Sequence, residues 1–300
     1  MTTRVLVTGA AGQVGVDLVD TLLGLVPPGA DATWQPDGRI VAPDEFDVVG
    51  VTHHDLDIAD DAAVQRAVEM ARPDVIVNLA AYTAVDRAES DREACFAIND
   101  AGTASLSFAA SQVGAHLVTV STDYVFDGMK GSSYEIDDPT NPQSVYGASK
   151  AAGEGRCRAE DTIVRTSWVM GVRGKNIAHV VATRAQAGET LRFVSDQRGT
   201  VTAAADLARA LVTFVRERPG GIWHVANRED ATWFEVADFV AQNASGRHGA
   251  VVPITTAELT PAPAAQRPPR SDLSLRRWES AGYVATPPWR SALERLLAAR

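Results

Sequence analysis

Cysteine is nearly missing: Cys95 and Cys157 are the only two in 300 residues, and they stand far apart. Without a Cys-x-x-Cys pair the sequence excludes a disulfide framework and a structural zinc site, and it suits a reducing cytosol. Long apolar runs are missing too. No stretch approaches the ~18 residues of a membrane span, and the start, with Val5-Leu6-Val7 running into a glycine turn, has no signal-peptide layout. We therefore expect a cytoplasmic protein with no membrane partner. Positive charge is in deficit, since 28 Lys and Arg against 38 Asp and Glu leave a formal charge of −10. Nucleic-acid affinity rests on neutralising phosphates with Lys and Arg, so no nucleic-acid partner is expected either. One small anionic ligand, which needs only a few placed donors, stays open.

What is present is alternation. Arg4 to Thr8, Asp47 to Thr52, Val75 to Ala80, His116 to Ser121 and Thr162 to Thr166 read as strands. Between them, Gln13 to Leu25, Asp60 to Ala71, Ala94 to Val113 and Tyr146 to Arg158 read as helices, with Asp60 as a cap. Val75 to Ala80 is too apolar to have a wet face, as in a parallel sheet covered on both sides. The pattern predicts an α/β fold with a Rossmann-like doubly wound parallel sheet. Residues 1–168 would form the nucleotide-binding domain, with return elements near 203–244. Residues 169–202 and 245–300 would form a smaller C-terminal α/β substrate-binding portion. Within these, helices are expected at Ala178 to Ala187, Ala203 to Arg216 and Trp233 to Ala244, and a strand at Ile222 to Ala226. Thr260 to Arg270, with four prolines, reads as an ordered loop. Val26 to Glu45 reads as a surface excursion that lengthens a normally short connection.

Chemistry enters at the first strand's end. In Gly9-Ala10-Ala11-Gly12-Gln13-Val14-Gly15, Gly9 permits a tight turn, Gly12 lets backbone N–H groups approach a pyrophosphate, and Gly15 lets helix and strand pack closely. The helix N-terminus adds partial positive charge. The acid expected about twenty residues on is missing, because the second strand ends in Thr52-His53-His54. Nothing there repels a 2′-phosphate, so NADP(H) is preferred and NAD(H) remains acceptable. Asp57-Ile58 falls where an adenine would lie; alternatively Asp55 and Asp57 cap a turn.

A second constellation is Tyr146-Gly147-Ala148-Ser149-Lys150, which places a phenol and an amine on one helical face. A free tyrosine titrates near ~10, and a neighbouring ammonium favours its phenolate. Tyr146 could then give a proton to a carbonyl oxygen, with Lys150 also holding a ribose. Thr122, at the carboxyl end of a strand, is the third member, placed where open α/β sheets bind ligands.

These residues carry a family likeness. Gly9 to Gly15, the run Asn78 to Glu89, Ser121 to Phe126, Val145 to Glu154 and Arg165-Thr166-Ser167-Trp168 resemble the dTDP-4-dehydrorhamnose reductases, which are extended short-chain dehydrogenase/reductases acting on nucleotide sugars. The resemblance implies NAD(P)H-dependent reduction of the C4 keto group of a dTDP-sugar, giving dTDP-L-rhamnose. It implies Thr122, Tyr146 and Lys150 as catalytic. Gly9, Gly12, Gln13, Val14, Gly15, Asp57, Ile58, Ala80, Ala81 and Thr83 would line the cofactor, together with Tyr146 and Lys150. Val85, Asp123, Tyr124, Trp168 and Asn176 would face the nucleotide sugar. Some family members hold a divalent metal at a subunit interface, but no carboxylate cluster here establishes one. A homodimer is compatible with the sequence. Three departures, Met170, Arg198 and Val201, fall in the substrate half and leave the sugar open. A 4-ketoreductase for another dTDP-deoxysugar, a non-catalytic NADP-binding regulatory subunit and an epimerase or dehydratase remain as alternatives. Against the regulatory reading stands the retention of all three catalytic residues.

Overall fold

The computed structural model describes residues 2–300. Its centre is a sheet of six parallel strands in the order Gly221–His224, Thr162–Thr166, His116–Thr122, Val75–Asn78, Thr3–Thr8, Phe46–Val51. The doubly wound parallel sheet read from the sequence is therefore present. Because side chains alternate across a strand, the apolar runs feed two cores. Val5, Val7, Val75 and Val77 meet Leu18 and Leu22 of helix Gln13–Leu22 and Leu207, Leu211 and Phe214 of helix Ala204–Glu217 on one face. Leu6, Ile76 and Leu117 meet Val64 and Val68 of helix Asp61–Ala71 and Leu106 and Ala110 of helix Gly102–Val113 on the other. Asp60 caps helix Asp61–Ala71 by accepting from the Ala63 N–H at 3.0 Å.

A third core holds the rest of the chain. Helices Ile177–Gln186, Trp233–Ser245 and Trp289–Ala298 pack together beside short strand pairs, Leu191–Val194 with Val251–Ile254 and Arg198–Thr200 with Asp230–Thr232. This corrects part of the expected grouping of 203–244. Ala204–Glu217 and Gly221–His224 do return to the large sheet, but Trp233–Ser245 buries Val236, Ala237, Val240 and Ala241 in the third core. In the opposite sense Trp278, from the C-terminal stretch, lies in the first core.

Two local expectations also change. Ala94 to Val113 is not one regular helix: Arg92–Phe96 and Gly102–Val113 are joined by a π-helical turn, Ala97–Ala101. The turn places Asn99 inward, where its amide accepts from the Tyr82 N–H at 2.9 Å and donates to the Tyr82 carbonyl at 3.1 Å. Such single turns often mark functional regions. The Val26 to Glu45 segment is no mere surface excursion. Trp34 is buried in the first core, and its carbonyl accepts from Arg209 at 3.1 Å. Arg216 holds Asp37 at 2.8 Å and Glu45 at 2.7 Å, tying the segment to helix Ala204–Glu217.

Candidate active site

The strand order reverses between Thr3–Thr8 and Val75–Asn78, and the carboxyl ends of these neighbours open the crevice where such sheets take ligands. A buried polar line ties the ends together. Thr8 donates to Asn78 Oδ1 at 2.7 Å, and the Asn78 amide donates to Thr119 at 3.2 Å. Gly9 and Gly15 stand where no side chain fits. Gly9 has φ +67°, and a Cβ there would stand 2.7 Å from the Ala80 nitrogen; one at Gly15 would stand 2.2 Å from the Gly9 carbonyl oxygen. The turn and the Ala80 loop are thus pressed together at backbone distance. Helix Gln13–Leu22 starts at Gly12 with no side-chain cap, leaving its first N–H groups for an incoming anion. The donor set fits a dinucleotide pyrophosphate.

Around this cradle the sequence-derived residues take different positions. Ala80 and Ala81 are half-buried beside Gly9, and Thr83 is exposed on the same loop. Val14 packs against the first core, while Ile58 is wholly within the second, filling the space over Gly102. Asp57 is exposed and accepts from the Ala59 N–H at 3.0 Å; Asp55 folds back on Thr52, accepting from its N–H at 2.9 Å and its hydroxyl at 2.7 Å. Both acids therefore cap the turn. Gln13 reaches away from the sheet: its Oε1 accepts from the Gly171 N–H at 3.2 Å and the Asn176 amide at 3.0 Å.

Thr122, Tyr146 and Lys150 come together on one wall. Helix Val145–Glu154, capped by Ser144, lies against strand His116–Thr122, and Gly147 and Gly153 permit close docking on the Tyr124 and Asn99 carbonyls. The Lys150 amine donates to the Val120 carbonyl at 2.6 Å. Burial pushes this amine down to about 8, with Glu154 acting in the opposite sense. Thr122 donates to Asp123 Oδ1 at 3.1 Å and accepts from the Tyr124 N–H at 3.2 Å. The Tyr146 ring meets Tyr124 edge-on, centroids 5.8 Å apart. The electrostatic expectation for Tyr146 is reversed. Burial drives the phenol upward, while the Thr122 hydroxyl pulls it down and the nearby Asp123 adds to the rise. The phenol is thus held protonated, which suits a proton donor better than a base.

The expected substrate positions divide. Asp123 is buried, accepts from Ser271 at 2.6 Å and has its carboxyl raised to about 7 by burial. Tyr124 and the half-buried Val85 lie beside the Asp86–Arg267 pair. Trp168 adopts φ +45° and stacks on Trp233, centroids 3.9 Å apart, a partner that sequence reading missed. Asn176 caps helix Ile177–Gln186 and gives its amide to Gln13 and to the Gly171 carbonyl at 2.7 Å, so it joins the two halves. Met170 and Val201, two of the departures, are buried in the third core, whereas Arg198 pairs with Asp230 at 2.9 Å at the surface. Arg267, in the proline-containing loop, forms a two-pronged pair with Asp86 at 2.5 and 2.6 Å, fastening that loop over the Asn78 to Glu89 run. No spacing in the sequence signals that contact across 181 positions. Among the described residues there is no cluster of three or more His, Cys, Asp or Glu able to hold a metal ion, and no helix long and apolar enough to cross a membrane.

A glycine cradle at the switch point, beside a Tyr-x-x-x-Lys helix docked on a strand ending in Thr, defines an NAD(P)-dependent oxidoreductase of the short-chain type. Comparison with known proteins narrows the class. Residues 38–300 match the model of the RmlD substrate binding domain. The dTDP-4-dehydrorhamnose reductase of Streptomyces griseus is 39% identical over 301 residues, covering 97% of this chain and 91% of that protein. The dTDP-4-keto-6-deoxy-D-glucose reductase of Streptomyces niveus is 35% identical over 297 residues, covering 98% and 96%. The crystal structure of dTDP-4-dehydrorhamnose reductase from Bacillus anthracis, in complex with NADP, superposes with a TM-score of 0.89 at 33% identity and full coverage of both chains. The chain belongs to the dTDP-4-dehydrorhamnose reductase family.

Proposed function

We propose that the protein reduces the C4 keto group of a dTDP-6-deoxy-4-hexulose, giving dTDP-L-rhamnose, with NADPH as the favoured reductant. The observation that carries this reading is the shared wall on which Thr122, Tyr146 and Lys150 meet, next to the glycine cradle. Bound nicotinamide would supply the hydride to C4. The chain's own part is to orient the carbonyl and deliver one proton. The Thr122 hydroxyl and Tyr146 phenol form the polar face toward which a keto oxygen would point. Tyr146, kept protonated by burial, gives its proton to that oxygen as negative charge develops there, and is recharged from solvent. Charged Lys150 stabilises the transient phenolate and can hold a ribose hydroxyl. Gly9, Gly12, Gly15, Gln13, Val14, Ala80, Ala81 and Thr83 would hold the dinucleotide, and Asp123, Tyr124, Val85 and Trp168 the nucleotide sugar.

Preference for NADPH is supported by the second strand's end. It closes in Thr52-His53-His54, with no Asp or Glu at the position where an acid would take the ribose hydroxyl of NAD. Met170 and Val201, two of the three departures, are buried in the third core, so they are packing changes that present no polar group to a sugar, as the dTDP-rhamnose reading allows. A second reading, a 4-ketoreductase for a different dTDP-deoxysugar, draws on Arg198, the one departure with a reachable side chain. Addition of the dTDP-4-keto sugar to protein loaded with NADPH should oxidise the cofactor, followed as loss of its absorbance. A panel of dTDP-keto sugars with both NADPH and NADH separates the two readings. Folded, cofactor-loaded protein that turns over no member of the panel would sink both.

A further inference from the structure

The helix that presents Tyr146 and Lys150 continues the row one step further. At spacing i, i+4, i+8 the third residue is Glu154, at the helix's last position. Its carboxylate is almost fully buried, yet it is not loose. Arg165 grips it with two bonds, Nε to Oε1 at 2.9 Å and Nη2 to Oε2 at 2.7 Å, and Ser121 donates to Oε1 at 2.5 Å. Arg165 is itself held, donating to the Ile136 carbonyl at 3.3 Å and lying over the Phe126 ring at 5.0 Å. Ser121 and Arg165 are paired neighbours on adjacent strands, so the grip comes from the sheet itself.

The last three residues of one strand therefore serve three residues of one helix row. The Val120 carbonyl takes Lys150, the Ser121 hydroxyl takes Glu154, and the Thr122 hydroxyl acts on Tyr146. We propose that Glu154 is a positioning residue for the active site: clamped by Arg165 and Ser121, it fixes the catalytic helix on the strand end and keeps the Lys150 amine in its charged form. Buried ion pairs seldom repay their desolvation, so stability alone is a weak reason to bury this one.

The charges around Lys150 leave Glu154 as the decisive one. On its own helix the amine meets Tyr146 and Glu154; Cys157 lies just beyond, Cys95 comes from Arg92–Phe96, and Arg165 sits behind Glu154. Burial pushes both thiols up, Cys157 to about 12, so they are neutral where the enzyme works. Tyr146 is held protonated. Glu154 is the one carboxylate acting on the amine, and it opposes the burial that would strip the proton. The inference rests on the proposed use of charged Lys150 in the reduction.

Its test does not depend on the substrate. The chain's only lysines are Lys130, Lys150 and Lys175, so side-chain ammonium resonances can be assigned with two Lys→Arg variants and titrated directly. In Glu154→Gln the Lys150 midpoint should fall by about one pH unit, and the alkaline limb of kcat/KM should fall with it. Glu154→Asp, which keeps the charge on a shorter stem, should retain a midpoint near that of the parent while losing part of kcat. An unmoved Lys150 midpoint in a folded Glu154→Gln chain would overturn the proposal, leaving the residue as a brace only. So would an Asp variant that titrates like the Gln variant. If the protein reduced no nucleotide sugar, the function reading would fail while the lysine titration still decided this one.

Discussion

The wall that carries the chemistry and the half that would take the sugar are built by different means. On the wall, Thr122, Tyr146, Lys150 and Glu154 come from one strand end and one helix, and each side chain is fixed by a neighbour a few ångströms away. On the other side, Trp168, Trp233, Asp86, Arg267 and Arg198 come from loops, a short strand and helix starts distant in sequence, held by one stacked pair of rings and by ion pairs near the surface. Asp86 and Arg267 are joined across 181 positions, and Arg198 and Asp230 across 32. Rigid elements give a proton donor the sub-ångström placement it needs, whereas loops can be re-cut for a new sugar without disturbing it. The difference would account for a wall that keeps Thr122, Tyr146 and Lys150 and for a departure such as Arg198 on the loop side.

The sharpest way to break this comparison is at the wall. Tyr146→Phe removes the proton donor and keeps the ring that meets Tyr124 edge-on. Turnover should fall by roughly 10²–10⁴-fold, the usual worth of a positioned acid, while the dissociation constant for NADPH stays within about twofold. Steady-state kinetics and a fluorescence titration check both halves. Near-parental turnover would mean that another group gives the proton and that the wall has been misread.

The loop side should respond more gently and in a different constant. Arg267→Ala releases Asp86, whose carboxyl is held down at about 2 by that guanidinium, and unfastens the loop that Ala265 also ties to Asp86 at 3.0 Å. KM for the nucleotide sugar should rise about tenfold, equivalent to ~1.4 kcal/mol, with kcat changed far less. An unchanged KM would show that this loop does not shape the sugar site. A loss confined to kcat would blur the line drawn between the two regions.

The same contrast explains what could be read from the sequence. Strand alternation, the glycine turn and the Tyr–Lys spacing are local signals, and each maps onto an element within a few residues of its expected bounds. Glu154 lay in plain view at the next helical step, but nothing local shows that Arg165 and Ser121 would seize it. Trp34 looked like part of an excursion because its burial depends on helix Ala204–Glu217, far along the chain. The helix cap at Asn176 and its link to Gln13 have no local signal, because a capping amide and a ligand-binding amide look alike in sequence. The protonated resting state of Tyr146 is hidden for a related reason. Spacing gives proximity on a helix, and burial, which decided the outcome, is a property of the packed whole.

The smallest effect on catalysis should lie on the seam between the regions, at Asp17 on the glycine helix. Its carboxyl is fully buried, neither oxygen has a hydrogen-bond partner, and the nearest cation, Arg173 from the loop that Gln13 contacts, stands 3.6 Å away while favouring Asp20 at 2.6 Å. Burial raises the carboxyl from 3.8 to about 6, with Arg173 opposing. The folded chain therefore keeps a proton that the unfolded chain releases, and this group's contribution to stability is lost as pH rises through about 6. Asp17→Asn cannot ionise, so it should be more stable than the parent by roughly 3 kcal/mol at pH ~8, with the gain shrinking toward zero near pH ~4. Urea midpoints for the two proteins across that range check the sign as well as the size. A gain that did not depend on pH would show that the carboxylate is satisfied in the fold, and a loss at every pH would make Asp17 a working partner of Arg173 in holding the two halves together.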